Sequence, residues 1–451
     1  MCSAEVKRLP LSFNQELLCL FDAGDSSGPF GPRYHTEAGW RLTGPVDRDA
    51  LRGALADVLS RHEPLRTKIV RHGSARYQEI FPPSPPILEV RECPGVPLGE
   101  RQRRAEELLA EVESGTISAS ELPLLRAVLM VFDERDAALV LLTHHLATDG
   151  WSMWIIARDL GAFYAARLAG DTAVLPPLRP YREFVAWERD LAASESAAAP
   201  RRYWTDTLRG ARLTALKADH PKSAGLPPVT AMYRFTLGAD VVASVVRMAR
   251  TARSSSFMVL LAAYYRLLNR LTGRTDLVVS THTPGRGNGP FENTVGSFFN
   301  FLPLRVDLAG CQDASDLLRR TRATCVGAYA NDIPALQVFE TAPDLMEPAM
   351  RDELAPVTFQ AFPHSKQLSG AFTSDLSYTE IRRPPTSLAV AADIPDGAVW
   401  SLIVDPVGEA VGEVSYRTDR FDEKTIVGLV EDYQRTLRDL VAEAGYPASA
   451  A

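Results

Sequence analysis

The chain has 451 residues, 46% hydrophobic and 23% charged, with a formal net charge of −7. This suffices for two domains of ordinary size with substantial cores, and the acidic balance argues against non-specific nucleic-acid binding. No run of roughly 18 or more apolar residues reads as a transmembrane helix, and the opening Met1 to Arg8 lacks the apolar stretch of a signal peptide. Five scattered cysteines without C-x-x-C spacing read as reduced thiols of a cytoplasmic protein. No His/Cys/Asp/Glu cluster apart from one His pair has ligand spacing, so no metal is expected.

Helix and strand patterns alternate along the first half. Leu51, Leu55, Val58 and Leu59 stripe one face of a helix running up to His62, and Arg66 to Val70 reads as a strand. The charged segment Glu100 to Glu113 reads as a solvated helix face. The apolar run Ala137 to Leu142 reads as a buried strand, and Trp151 to Ala169 has helical spacing.

A proline-rich stretch, Val174 to Pro180, marks a crossover, and Ala192 to Pro200 a second break. The expected division is therefore one lobe over 1–178 and another over 179–451. In the second half, Met258, Leu261, Ala262, Tyr265 and Leu268 mark a helix with Gly273 as its C-cap. Asp276 to Ser280 reads as a buried strand before the loop Thr283 to Gly289, which is Gly-rich but lacks the P-loop pattern. Gly412 to Tyr416 is a late strand before a helix starting at Asp422. Periodicity alone gives a mixed α/β chain in two lobes.

Between the buried strand and its helix lies Thr-His144-His145-Leu-Ala-Thr-Asp149-Gly150-Trp151-Ser. With only 8 histidines in the chain, a His-His-x-x-x-Asp-Gly string arises by chance in roughly one shuffled sequence in two thousand. Successive strand residues face opposite sides, so one histidine is available for chemistry while the other anchors the turn. Histidine suits proton management near neutral pH. No G-x-S-x-G nucleophile elbow occurs and no cysteine adjoins a histidine. The alternative reading is a pair of core histidines beside a turn-forming Asp-Gly.

His144-His145-x-x-x-Asp149-Gly150 resembles the core motif of condensation domains of nonribosomal peptide synthetases. Ser12-Phe13-Asn14-Gln15, Arg61-His62-Glu63-Pro64-Leu65-Arg66-Thr67 and Tyr181-Arg182-Glu183-Phe184-Val185-Ala186-Trp187 are similar to further motifs of that family. So are Val295-Gly296-Ser297-Phe298-Phe299-Asn300 and Asn331-Asp332-Ile333-Pro334. Departures fall at Leu17 and Cys19, where the family has Arg and Trp, at Phe301 in place of Thr, and at Ala335-Leu336 in place of Phe-Glu. They bear on the substrate channel and partner surface.

The resemblance implies two chloramphenicol-acetyltransferase-like α/β lobes forming a V-shaped pseudodimer with a tunnel between them. It implies transfer of an acyl or aminoacyl group from a carrier protein's phosphopantetheine thioester to an amine or hydroxyl acceptor. His145 would be the catalytic histidine, with the Gly150 amide a candidate oxyanion donor. His144 would face the lobe interior. Asp149 is expected to pair with an arginine, Arg286 first and Arg61 or Arg66 next. Trp151, Ser297 and Asn300 are channel candidates, although Trp151 and Trp154 read better as core and Asn300 also fits a residue satisfying a bend. The pairs Arg103-Arg104 and Arg201-Arg202 fit an acidic carrier or, more simply, a solvated face.

The chain ends about where the condensation fold should, so a free-standing enzyme is expected, with a separate carrier protein, no bound cofactor, and no membrane partner. Stand-alone condensation enzymes of enediyne antibiotic pathways are one such type. Rival readings are a CoA-dependent acyltransferase, which usually lacks the first histidine, a catalytically silent recruitment module, and an epimerisation domain.

Overall fold

A computed structural model describes residues 7–73, 75–286, 289–363, 369–383, 385–405 and 408–448. The chain divides into two compact units of interleaved segments: Met1–Leu191, Pro284–Phe299 and Lys366–Pro384 in the first, the remainder in the second. This division differs from a boundary at 178/179. The helix Tyr181–Ala193 turns Tyr181, Phe184 and Val185 into an aromatic cluster with Phe291 and Phe298, and so stays with the first unit for most of its length. Gly287 and Asn288 of the Gly-rich loop, and the opening residues 1–6, lie outside the described residues.

The first unit is built on a six-stranded sheet in the order Ser369–Ala371, Ser377–Glu380, His35–Thr43, Asp136–His144, Leu125–Asp133, Ile87–Glu92. All nine residues of Asp136–His144 are buried, because both faces of this central strand are covered. Ala137, Leu139 and Leu141 pack with Leu51, Leu55 and Ile156 of the helices Arg48–Arg61 and Gly150–Ala169. Ala138, Val140 and Leu142 pack with Leu108 and Leu109 of the helix Arg101–Glu113. Alternation of side chains therefore feeds two cores, which is why the strand reads as an unbroken apolar run. Truncating one of its leucines to alanine should cost about 2–5 kcal/mol. The charged segment around residue 100 is thus more than a solvated face, since Ala105, Leu108, Leu109 and Val112 are buried beneath its charges. A small sheet, Lys7–Leu9, Ala75–Ile80, Thr67–His72, completes this unit.

The second unit carries a seven-stranded sheet in the order Asn300–Asp307, Asp276–Thr283, Leu354–Pro363, Ala398–Val404, Ala410–Arg417, Thr230–Leu237, with Ala215–Lys217 pairing the start of Leu354–Pro363. Helices Ser256–Thr272, Ala314–Ala330 and Glu423–Glu443 pack on strands of this sheet, and Ala239–Thr251 packs on the first and last of these helices. The helix Ser256–Thr272 is capped by the Ser255 side chain and ends at Gly273 in the left-handed region, as its sequence predicts. Tyr264, Phe359, Trp400 and Tyr433 form the aromatic centre of this core. Among the described residues no helix is long and apolar enough to cross a membrane.

Candidate active site

The strand Asp136–His144 ends at the histidine pair, and the chain then turns into the helix Gly150–Ala169, capped by Asp149. The two rings diverge at once. His144 is fully buried; its Nε2 lies 3.1 Å from the Gly31 carbonyl and its Nδ1 accepts from the Leu146 amide at 3.2 Å. One nitrogen must donate and the other must accept, which only the neutral ring can do. Burial pushes this imidazole down to about 3.

His145 keeps part of its surface open. Its backbone amide donates to the Tyr34 carbonyl at 2.9 Å, and its Nδ1 lies 2.6 Å from the Thr148 carbonyl. A carbonyl can only accept, so Nδ1 carries the proton and Nε2 presents its lone pair. The ring stacks on Tyr34 at 5.0 Å and leans against Phe299 at 4.9 Å, which fixes its plane. Burial lowers its proton affinity below the ordinary histidine value, against the opposing pull of the Thr148 carbonyl and the Asp149 charge.

Asp149 is the hub of the turn. Its Oδ1 accepts from the Ser152 amide at 2.8 Å, the Ser152 hydroxyl at 2.7 Å and Arg286 Nη2 at 3.0 Å. Oδ2 accepts from Arg286 Nη1 at 2.7 Å. Carboxylate and guanidinium therefore meet in the two-pronged geometry that favours arginine, and the Arg286 group also lies 4.2 Å over the Phe298 ring. The backbone delivers it by a tight fold at Gly285, where φ is +62° and an added Cβ would sit 1.5 Å from the Phe298 carbonyl oxygen. Gly150 heads the helix in open space, with nothing within 4 Å of where a Cβ would be. Helix geometry leaves its amide without an intrahelical acceptor.

Arg61 and Arg66 do not reach Asp149. Arg61 Nε donates to Asp159 at 2.9 Å, the same carboxylate that holds His62 at 3.0 Å, while Arg66 bonds the Leu59, Ser60 and Phe81 carbonyls. Trp151 and Trp154 are not core residues: they are 43% and 38% exposed, packed on each other at 5.6 Å, with Trp151 Nε1 donating to the Glu292 carbonyl at 3.1 Å. Their spacing on the helix places both indoles on its outer face.

Ser297 is fully buried, and its hydroxyl accepts from Asn14 at 2.9 Å, so it braces the segment 284–299 rather than lining an open channel. Asn300, in the second unit, donates to Asp332 and the Ile333 carbonyl and accepts from the Ala335 amide at 2.8 Å; it satisfies a bend. Arg103 and Arg104 pair with glutamates of their own helix or its first turn, and Arg201 caps the Ala192 carbonyl.

Sequence reading missed Tyr34, Thr148 and Gly31, whose contributions are backbone carbonyls or ring faces and so leave no motif. It also missed what the Ser12 segment is. Ser12 and Gln15 form a capping box at the start of the helix Phe13–Leu20, a signature visible as Ser-x-x-Gln.

Set beside known proteins, residues 8–449 match the condensation-domain family model. The chain belongs to the condensation-domain family. This condensation domain is 32% identical, over 97% of its length, to a probable non-canonical nonribosomal peptide synthetase, CymA, of Salinispora arenicola. It is 33% identical, also over 97%, to an isonitrile lipopeptide synthase of Mycobacterium tuberculosis. It spans only 6% and 17% of the lengths of those two relatives. Among solved structures, the SgcC5 protein of Streptomyces globisporus superposes with a TM-score of 0.91 at 46% identity, covering 96% of this chain and 98% of that one. The two α/β lobes are accordingly chloramphenicol-acetyltransferase-like, the fold of solved condensation domains. Family membership places the domain among segments of natural-product synthetases such as these relatives.

Proposed function

We propose that this domain transfers an acyl or aminoacyl group from the phosphopantetheine thioester of a carrier protein to an amine or hydroxyl acceptor, with His145 as general base. One observation carries the reading: Nδ1 of His145 is tied to the Thr148 carbonyl at 2.6 Å, which directs the lone pair of Nε2 outward on a ring held by Tyr34 and Phe299. The acceptor N–H or O–H hydrogen-bonds to Nε2 and attacks the thioester carbonyl. As the new bond forms, its proton passes to Nε2 and negative charge gathers on the carbonyl oxygen. The tetrahedral species expels the phosphopantetheine thiolate, which takes the proton from His145. The Gly150 amide, at the positive end of a long helix, is the candidate donor to the oxyanion.

Asp149 acts through structure. Bound by Arg286 and Ser152, it fixes the turn that sets the His145 ring, and it is no triad acid, because its oxygens are engaged away from that imidazole. A hydroxyl acceptor, and thus an ester product, is favoured by the likeness to SgcC5, which was solved with (R)-(-)-1-(2-naphthyl)-1,2-ethanediol and sucrose.

The test follows intact masses after mixing the protein with an acyl-loaded carrier protein and paired amine and alcohol acceptors. Acyl loss to the acceptor, abolished in His145→Ala, supports the reading. Equal turnover with acyl-CoA indicates the CoA-dependent alternative, and binding without turnover a recruitment module.

A further inference from the structure

Tyr34 and His145 form a cross-strand pair at the end of the first unit's sheet. The register that sets His35 opposite His144 continues one residue further, where the His145 amide donates to the Tyr34 carbonyl at 2.9 Å. Cross-strand neighbours on one face have Cβ atoms roughly 4.5–5.5 Å apart. The two ring centroids lie 5.0 Å apart with their planes inclined by 20°, so the side chains run side by side and neither converge nor splay. A phenol reaches further from its Cβ than an imidazole does. The Tyr34 hydroxyl therefore stands beyond the far edge of the His145 ring, the edge that carries Nε2.

That hydroxyl is uncommitted. Among the described residues it has no hydrogen-bond partner, and it is not one of the sealed orphan atoms, which include the Tyr264 hydroxyl of the second core. It is therefore open to a small molecule. A polar group left unpaired in a largely buried residue costs free energy, and a ligand that supplies the missing acceptor removes that cost. Burial pushes the phenol well above its ordinary value, so the group stays neutral and keeps its proton to donate.

Resting on the proposed role of His145, we infer that Tyr34 is a further catalytic residue, whose hydroxyl donates a hydrogen bond to the thioester carbonyl oxygen under attack. Nε2 of His145 offers a lone pair and takes the N–H or O–H of the acceptor. The neighbouring O–H needs the opposite, an electron-rich oxygen, and the attacked carbonyl supplies one in every substrate pair. As the nucleophile adds, the C=O electron pair moves onto that oxygen and the hydrogen bond strengthens. When the thiolate leaves, the pair returns to re-form the carbonyl. The Tyr34 proton stays on its own oxygen throughout, and the proton of the acceptor still travels by way of His145 to the thiolate.

Tyr34→Phe tests this, because it keeps the stacked ring and removes only the hydroxyl. With the acyl-loaded carrier protein and acceptors of the assay above, kcat should fall by roughly 10²–10³, with KM for the acceptor little changed. The acid limb of the pH–rate profile, which reports His145, should stay in place. Wild-type kcat overturns the inference, as does a fall confined to KM. A shifted acid limb also overturns it, because the hydroxyl would then act through the imidazole. A second measurement needs no variant: a crystal structure of the wild type with an acyl-pantetheine amide, nitrogen replacing the thioester sulfur. Its carbonyl oxygen should lie within roughly 2.5–3.0 Å of the Tyr34 hydroxyl, and a carbonyl turned away from it overturns the inference. The two readings fail separately. If His145→Ala retains turnover, the general-base reading falls and this inference with it. If His145→Ala is inactive while Tyr34→Phe turns over normally, only this inference falls.

Discussion

The strands Asp136–His144 and Asp276–Thr283 lie in different units, and each carries histidine at its carboxyl end. In the second unit, the His282 ring packs on Phe301 at 4.3 Å and meets the Gln360 side chain, whose amide donates to Ser401 at 2.6 Å. That histidine is woven into a side-chain network running across the sheet. In the first unit, His145 is held by a backbone carbonyl of the adjoining turn, and its Nε2 stands outside any such side-chain network among the described residues. The segment after the strand decides what the histidine does. The turn into a capped helix frees a nitrogen, and the segment after the second strand, 284–299, is counted with the first unit and carries Arg286 and Phe299 to the turn.

His145→Gln puts this contrast to its hardest trial. Turnover should fall by roughly 10²–10⁴ with an unchanged unfolding transition, and a stable variant with near-normal turnover would contradict the contrast. Next in size is Arg286→Met, which strands the 6%-exposed Asp149 without its partner and should cost about 3–5 kcal/mol in chemical denaturation. Asp149→Asn combined with Arg286→Met should lose less than the two single losses added together, because each removes the same interaction.

The anchoring histidine gives a pH-dependent effect. Its folded value, about 3, lies below the unfolded value of about 6.5, so the unfolded chain binds more protons between these limits. Stability from this group is present above about pH 6.5 and is lost as pH falls toward about 3, by about 1.4 kcal/mol per pH unit in mid-range. His144→Asn should flatten that slope in urea melts.

A pH-dependent effect of opposite sign concerns the helix leading out of the first unit. Burial pushes the Glu188 carboxyl up to about 8, while its Oε1 accepts from the Phe13 amide at 2.9 Å. The folded state here binds the extra proton, so this group's contribution is present below about pH 4.5 and is lost as pH rises through about 8. Glu188→Gln, which preserves the acceptor, should match the wild type at pH 5 and melt higher at pH 9.

The sequence made legible what is local and periodic. The buried run at 137–142, the helix after Gly150 and the His-His-x-x-x-Asp-Gly turn between them all stand in the structure where periodicity placed them. The Asp149–Arg286 contact is the first of the three pairings the sequence suggests, since a buried aspartate calls for a cation. The features that escaped depend on contacts distant in sequence. The apolar underside of the helix Arg101–Glu113 is masked by its charge content. The outward indoles of Trp151 and Trp154 are masked by their composition, because which helix face is covered is decided by the Arg48–Arg61 helix packed against the other side. Carbonyl partners such as Gly31 and Thr148 carry no side-chain signal at all.

The role of the His145 imidazole is decided by a crystal structure of the protein with an unreactive acceptor analogue bearing the amine or hydroxyl. The nucleophilic atom should lie within roughly 2.6–3.2 Å of His145 Nε2, with Nδ1 still on the Thr148 carbonyl. An analogue seated with its nucleophile remote from that nitrogen, or a His145 ring turned to offer Nδ1 instead, would rule that role out.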